Sequence, residues 1–248
     1  DKMWWRVAWA IAQAESNYCK ITDGCRHDDG FCANEFKWAE EFHHVMSELD
    51  FLPNSPCIAN AGRSKGQLSA CFVLPVEDDL ESIFEAVKNA ALIHKTGGGT
   101  GFSFNRLRAR DSLVASTGHV ASGPVSFMGV FDAATAAIKQ GGMRRGANMG
   151  ILNVDHNDIF EFIHCKDEGN KIQNFNISVA VTNDFMYELG LCKKVEVHNQ
   201  KYGQLKHHCA HEVWDEICKS AWKTGDPGLW FIDRVNAGKG NAVPSIGP

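Results

Sequence analysis

The sequence lacks any long apolar run. None of its 248 residues belong to a stretch approaching the about 18 consecutive apolar residues that a membrane-spanning helix needs. The first apolar stretch, Trp4 to Ile11, is interrupted by Arg6 and is followed by no small-residue cleavage site. We therefore expect a cytoplasmic protein that makes no membrane contact.

Basic residues are also outnumbered. The sequence has 25 Lys and Arg residues and 30 Asp and Glu residues, which give a net charge of −5. Proteins that bind nucleic-acid polymers neutralise phosphates with a basic surface. We expect no nucleic-acid polymer as a partner, and any phosphate chemistry has to be local.

The nine cysteines are odd in number and irregularly spaced, which excludes a secreted disulfide framework and favours reduced thiols. Cys19, Cys25 and Cys32 lie near His27 and suggest zinc, but their spacings exceed the usual chelate gaps. No metal site is therefore predicted. The chain begins at Asp1 rather than Met and stops in a predicted loop, so we expect a fragment of a longer protein.

The apolar pattern changes along the chain. The first fifty residues have helical spacing, and Pro53 and Pro56 follow them. Strand-like and helix-like segments alternate afterwards, at 68–76, 80–91, 102–108, 124–138, 150–154, 158–164, 175–181, 194–198, 211–223 and 229–235. This alternation predicts an α/β fold with a largely parallel sheet or barrel behind a helical region, with domains at 1–52 and 53–248.

Two glycine-rich loops are candidate ligand sites. The loop 97–101 lets backbone N–H groups approach a ligand, or else it is a helix C-cap followed by a tight turn. The loop 141–150 carries Arg144 and Arg145, which suit a phosphate or a base edge, or else it is a solvated turn.

Three arginines alternate with apolar residues. At the strand period of two, Arg106, Arg108 and Arg110 share one face, which predicts an anion site or a solvent-facing strand edge. Cys71 lies in the apolar segment 68–74, where a buried cysteine that packs as a small hydrophobe is the alternative to a chemical role.

Four ordered motifs carry a family resemblance over nearly the whole chain. They are Leu52-Pro-Asn-Ser-Pro56 with Asn60-Ala-Gly62, Gln67-Leu-Ser-Ala-Cys-Phe-Val-Leu-Pro-Val76, His94-Lys-Thr-Gly-Gly-Gly-Thr-Gly-Phe-Ser-Phe104 through Arg108, and Gly141-Gly-Met-Arg-Arg-Gly146. Together they resemble the large catalytic chain of ribonucleotide reductase, and most closely its adenosylcobalamin-dependent class.

The resemblance implies an N-terminal helical region followed by the first half of a ten-stranded α/β barrel. It implies reduction of ribonucleotides to 2′-deoxyribonucleotides by a thiyl-radical mechanism, with adenosylcobalamin as the cofactor. The family's Asn-x-Cys-x-Glu segment, which bears the radical, is absent from this chain, so the chain alone is expected to be inactive.

The resemblance also implies roles for single residues near the substrate. Cys71 matches the first cysteine of the redox pair that becomes a disulfide. Ser55, Ala70 and Gly99 match positions that line the substrate nucleotide.

Further roles concern a deoxynucleotide effector. Asp78 and Arg108 match effector contacts, and the segments 116–123 and 141–150 match two loops that link effector to substrate choice. Arg144 is the candidate messenger between them.

The family also implies a thioredoxin-type reductant and a homodimer as partners. Two alternatives remain open. One is a di-iron-partnered reductase large chain, and the other is a non-catalytic nucleotide-binding regulator.

Overall fold

A computed structural model gives the structure of the chain. It describes residues 2–17, 27–28, 31–64, 66–114, 118–138, 146–169, 171–191, 194–196 and 207–237. The chain divides into two compact units, residues 1–70 and 71–248. Within the described ranges, no helix has the length and apolar character needed to cross a membrane.

The first unit is mainly helical. Its elements are α1 (Lys2–Ala12), β1 (His27–Asp28), β2 (Phe31–Cys32), α2 (Ala33–Ser47) and α3 (Ser55–Asn60). Val7, Ala8, Met46 and Ala61 form its small buried core.

Arg6 on α1 ties the end of the unit to its beginning. Its guanidinium donates to the backbone oxygen of Ile58 at 2.6 Å and also to that of Ala61. These bonds attach α3 and the residues after it to α1. The compact unit consequently extends to residue 70, whereas the sequence analysis places the domain boundary after residue 52.

The second unit alternates strands and helices. Its elements are β3 (Cys71–Val73), α4 (Leu80–Lys95), β4 (Gly99–Ser103), α5 (Pro124–Ala137), β5 (Asn148–Asn153), α6 (Ile159–Ile163), β6 (Phe175–Val181), α7 (Asn183–Gly190), β7 (Lys194–Glu196), β8 (His207–Cys209), α8 (Ala210–Thr224), β9 (Gly228–Phe231) and α9 (Ile232–Asn236). Five strands pair in parallel in the order β3-β4-β5-β6-β9. The predicted α/β fold with a parallel sheet is confirmed.

One face of this sheet packs against helices through an aromatic core. The ring centroids of Phe102 and Phe131 lie 4.6 Å apart, and those of Phe104 and Phe131 lie 5.7 Å apart. Phe175 on β6 contacts the same group, with its centroid 6.2 Å from that of Phe104. All four rings are almost fully buried, so they join α5 to the middle of the sheet.

Several element predictions need correction. The predicted strand 102–108 begins and ends earlier, as β4, because the chain turns after residue 103. The segment 194–196 pairs antiparallel with β8 rather than joining the main sheet. The helix α7 was not predicted, although Thr182 marks its start, where its side chain accepts from the N–H of Phe185.

Gly123 directly precedes α5, and the backbone conformation at this position requires a glycine. Its φ is +79°, and a Cβ there would lie 2.9 Å from Oδ2 of Asp158 and 3.0 Å from the backbone nitrogen of Arg110. We expect Gly123→Ala to lower the free energy of unfolding by about 1–3 kcal/mol, because a strained backbone and a steric clash coincide. Chemical denaturation of the chain and its variants measures this change.

Gly129 is the matched control, because it lies in α5 and a methyl group added to its Cα would have nothing within 4 Å. Gly129→Ala should raise the free energy of unfolding by about 0.5–1 kcal/mol, through the higher helix propensity of alanine. Equal effects of the two substitutions would contradict the assigned conformation of Gly123.

Candidate functional site

Cys71 is the first residue of β3, which lies at one edge of the five-stranded sheet. It is a free, exposed thiol that pairs in register with Gly99 of β4. The alternative of a buried cysteine that packs as a small hydrophobe is therefore wrong. The sequence suggested burial because apolar residues flank this cysteine, but the residues of an edge strand alternate between a covered and an open face.

The strand register separates two faces of the sheet. One face is covered by helices. Phe72, Thr100 and Asn148 lie on it as register neighbours on β3, β4 and β5. Cys71 and Gly99 lie on the opposite face, which we call the open face. Because side chains alternate along a strand, Gly101 and Met149 also belong to the open face, beside Cys71 and Gly99.

The first glycine loop forms a helix C-cap. The N–H of Gly97 donates to the oxygen of His94 and that of Gly98 to the oxygen of Ile93, at 3.0 and 3.2 Å. Gly97 has a φ of +90°. A Cβ on Gly98 would lie 2.7 Å from Ile93 and 2.8 Å from the ring of Phe72. The cap interpretation therefore holds for Gly97 and Gly98, whose N–H groups are occupied, and Gly99 begins β4.

Asp78 and Arg108 form a partly buried ion pair between the ends of two strands. Nε of Arg108 donates to Oδ2 of Asp78 at 2.8 Å, and the backbone N–H of Arg108 donates to Oδ1 at 3.1 Å. The two side chains are only 20% and 16% exposed. Asp79, rather than Asp78, caps α4, since its side chain accepts from the N–H of Ser82. The carboxylate of Asp78 therefore accepts hydrogen bonds from Arg108 rather than from the first turn of α4.

A cavity of about 480 Å³ opens beside this ion pair. Its lining includes Asp78, Arg108, His119, Ser122 and Phe127. The structure thus brings both predicted effector residues together with the described part of the predicted loop 116–123. We call this space the Asp78 pocket. Its volume lies within the range of about 300–1,000 Å³ that is typical of small-molecule sites.

The arginine row is not an open anion site. Arg106 pairs with Glu77, Arg108 pairs with Asp78, and Arg110 pairs with Glu161 at 2.5 Å. The predicted alternation does appear, because Leu107 and Ala109 are buried between the arginines. Each cation, however, faces a carboxylate from another part of the chain.

A buried hydrogen-bonded chain, which sequence reasoning missed, lies under the covered face. Nε2 of His94 lies 2.9 Å from Oγ1 of Thr100, which donates to Oδ1 of Asn148 at 2.7 Å. Nδ2 of Asn148 donates to Oγ1 of Thr135 at 2.9 Å. These four side chains, which we call the buried network, are at most 5% exposed. The available signal was a polar residue near the start of two otherwise apolar strands.

The donors and acceptors from His94 to Asn148 in the buried network can be assigned. Thr100 uses its only proton toward Asn148, so it accepts from His94, whose Nε2 carries a proton. Burial lowers the pKa of His94, and the carbonyl of Ala147 opposes this effect. A neutral imidazole in this tautomer therefore satisfies Thr100.

The remaining predicted site residues are Ser55, Ala70 and Arg144. Ser55 is the exposed first residue of α3, after Asn54, whose side chain accepts from the N–H of Cys57 at 2.9 Å. Ala70 is half-buried at the end of the first unit. Arg144 lies outside the described residues, as does most of the loop 141–150.

The suggested zinc ligands Cys19 and Cys25 also lie outside the described residues. Within the part of the chain that the structure describes, no three His, Cys, Asp or Glu side chains are grouped to hold a metal ion.

Two family domains match this chain in succession. The all-alpha domain of ribonucleotide reductase matches residues 1–66, and the barrel domain of ribonucleotide reductase matches residues 69–246. The chain is 58% identical over 212 residues to the vitamin B12-dependent ribonucleoside-diphosphate reductase of Thermoplasma acidophilum, which covers 85% of this chain and 27% of that relative. It is 44% identical over 216 residues to the protein of the same name from Mycobacterium tuberculosis strain H37Rv, over 85% of this chain and 30% of that relative.

More distant similarities extend to other reductases. The ribonucleoside-diphosphate reductase subunit alpha of Helicobacter pylori is 28% identical over 238 residues, which cover 85% of this chain and 30% of that protein. The Actinobacillus ureae class Id ribonucleotide reductase alpha subunit superposes with a TM-score of 0.67 at 23% identity, over 94% of this chain and 37% of that chain. This last likeness shows the fold. The chain spans less than a third of the length of the curated relatives named above.

Thiol labelling tests the exposure of Cys71. Burial raises the pKa of the Cys165 thiol to about 12, so little thiolate forms there at pH 8. We expect iodoacetamide at pH 8 to alkylate Cys71 at least about ten-fold faster than Cys165, as quantified by peptide mass spectrometry. Cys218, another exposed free thiol, is the positive control. Protection of Cys71 with reaction of Cys218 would contradict the position given to β3.

Proposed function

The chain belongs to the ribonucleotide reductase large-chain family, and we propose that it forms part of the catalytic chain of a vitamin B12-dependent ribonucleotide reductase. The complete enzyme would reduce ribonucleotides, as diphosphates in the relatives' names, to 2′-deoxyribonucleotides for DNA synthesis. The observation that carries the proposal is the exposed thiol of Cys71 beside Gly99 on the open face.

The di-iron-partnered class is less well supported. Identity reaches 58% to a relative named as vitamin B12-dependent, against 28% for the Helicobacter pylori subunit alpha, whose name carries no such dependence. A non-catalytic regulator is also less well supported, because the relatives that match this chain are named as reductases.

Cys71 is the proposed reductant. Its thiol and the thiol of a second cysteine of the complete enzyme would give up two protons and two electrons and form a disulfide. The ribose 2′ carbon would exchange its hydroxyl for hydrogen, and the hydroxyl would leave as water. An accessible sulfur is needed for this step and for the later exchange with a thioredoxin-type reductant.

Gly99, with Ser55 and Ala70, is proposed to line the substrate. Gly99 is the register neighbour of Cys71, and its lack of a side chain leaves room for a ribose next to the sulfur. Ser55 and Ala70 belong to the first unit, and their proposed role comes from the matching motifs.

The Asp78 pocket is the proposed effector site. Arg108 offers a guanidinium for phosphate oxygens, and Asp78 retains lone pairs for a hydroxyl because a carboxylate accepts up to about four hydrogen bonds. Arg144 and the loop 141–150 remain the proposed link from this effector to the choice of substrate.

Adenosylcobalamin is proposed as the cofactor from the names of the relatives. The described residues do not form a site that fits it. A cavity of about 640 Å³ is lined by charged groups such as Arg110, Glu161 and Lys171 rather than by a broad apolar surface for a corrin. A homodimer and a cytoplasmic location complete the proposal.

Replacement of Cys71 tests the proposed chemistry in the complete enzyme. Serine cannot donate electrons or form a disulfide, so Cys71→Ser should bind nucleotide but lose at least about 99% of sustained turnover. The measurement is deoxynucleotide formed per enzyme with a thioredoxin-type reductant, beside a thermal melt. Cys218→Ser removes another exposed thiol and should keep wild-type turnover. Sustained turnover by Cys71→Ser would refute the reductant role.

Replacement of Arg108 tests the effector site. Charge-assisted hydrogen bonds contribute about 1.5–3 kcal/mol each, so Arg108→Ala or Asp78→Ala should weaken the binding of deoxynucleoside triphosphates by about ten-fold or more. Isothermal titration of the complete enzyme measures this, and basal turnover without effector should survive.

Arg106→Ala is the matched control, because Arg106 pairs with Glu77 in the same row but does not line the Asp78 pocket. Its effector affinity should stay within about two-fold of wild type, as expected for an exposed ion pair. Unchanged affinity in the Arg108 and Asp78 variants would reject the effector assignment.

A further inference from the structure

The Asp78 pocket and Cys71 lie at opposite ends of the strands β3 and β4. Asp78 and Arg108 follow the carboxyl ends of β3 and β4, whereas Cys71 and Gly99 are the first residues of the same strands. A signal from one place to the other must therefore cross the full length of the strands or of the helices that pack on them.

Two helices make this crossing. Leu80 and Ile83, at the start of α4, line the Asp78 pocket, and so does Phe127 in the first turn of α5. The far end of α4 carries His94, about 20 Å along the helix axis from Leu80 at 1.5 Å per residue, and the far end of α5 carries Thr135. Both helices thus run from the pocket to the buried network.

The network joins those helix ends to the strands. His94 reaches Thr100 of β4, and Thr135 is bound by Asn148 of β5, while Thr100 and Asn148 bind each other. Thr135 is also held by its own helix, because its hydroxyl donates to the oxygen of Phe131 at 2.7 Å. All of these groups are buried, so a shift of either helix cannot be compensated by water.

The strand residues of the network are the immediate neighbours of open-face residues. Thr100 lies between Gly99 and Gly101, and Asn148 precedes Met149. The N–H of Thr100 also donates to the oxygen of Ala147 at 3.1 Å. A displacement of Thr100 or Asn148 must consequently move its chain neighbour Gly99 or Met149 on the other face, and Gly99 is the register partner of Cys71.

We propose that the buried network couples the Asp78 pocket to the geometry of Gly99 beside Cys71, with α4 and α5 as rigid connectors. This inference rests on the proposed function, because it takes the pocket as an effector site and Gly99 as part of the substrate site. Asn148 and Thr135 are positioning residues that touch neither ligand. The coupling is reciprocal, so substrate binding must change effector affinity by the same factor.

The test compares coupling in the complete enzyme and in Thr135→Val. Valine keeps the shape of threonine but removes the acceptor for Nδ2 of Asn148. The dissociation constant of each of the four ribonucleoside diphosphates is measured with and without each of the four deoxynucleoside triphosphates. The largest ratio defines the coupling factor, for which values of about 5–150 are typical.

We expect Thr135→Val to reduce the coupling factor at least about five-fold, while effector affinity in the absence of substrate stays within about three-fold of wild type. Thr135→Ser restores the hydroxyl and should restore coupling. A thermal melt shows whether Thr135→Val folds. If it does not fold, the coupling factor is measured in Asn148→Ser, which shortens the side chain and breaks the same bond.

Thr224→Val is the matched control. Thr224 lies at the end of α8 and donates to the oxygen of Ser220 at 3.1 Å, as Thr135 does to Phe131. Its hydroxyl also bonds to the backbone of Asp226, and it lies outside the network. Its coupling factor should equal that of wild type. Wild-type coupling in Thr135→Val, or loss of effector binding itself by a folded Thr135→Val enzyme, would overturn the positioning role.

These outcomes separate the two proposals. If the wild-type complete enzyme shows no binding of deoxynucleoside triphosphates or no effect of them on substrate affinity, the effector role in the proposed function fails. If wild type shows coupling and folded Thr135→Val and Asn148→Ser enzymes both retain it, the proposed function stands and only the role of the network fails.

Discussion

Parallel pairing of β4 with β5 is the constraint on which the second unit depends. It places Thr100 beside Asn148 on the covered face and therefore Gly101 beside Met149 on the open face. Parallel neighbours cannot be joined by a tight turn, so the chain between them must return across the sheet, and α5 makes that return. One pairing thus fixes the core, the direction of the helices and the separation of the two candidate sites.

Charge is organised by the same geometry. The three arginines that follow β4 pair with carboxylates 29, 30 and 51 residues away in sequence. A row that appears strongly basic in sequence is nearly neutral in the folded chain. A phosphate that enters the Asp78 pocket must therefore share Arg108 with Asp78, and this competition would link ligand binding to the start of α4, where Asp79 caps the helix.

The sequence predicts the order of elements far better than their contacts. The strand 175–181 is predicted at its observed bounds, and Pro124 is predicted as the first residue of a helix, because both depend on local patterns. The exposure of Cys71 and the partners of Arg106 and Arg110 depend on which segments meet across the sheet. The buried network could not be predicted for the same reason, since Thr135, Asn148 and His94 lie on three separate elements.

Near Cys71 the two faces of the sheet carry side chains of different size. The covered face carries large residues such as Phe102, Phe175 and Ile177, which are almost fully buried. Next to Cys71 the open face carries Gly99 and Gly101, although Met149 and Ile151 of β5 also lie on this face. At Gly228 the fit is tight, because a Cβ there would lie 2.9 Å from Oγ of Ser178. Stability comes from the covered face, where rings fill the space under α5. The open face can therefore keep Gly99 and Gly101 beside β3, and under the proposed function the space left by Gly99 is where a nucleotide ribose would approach the sulfur of Cys71.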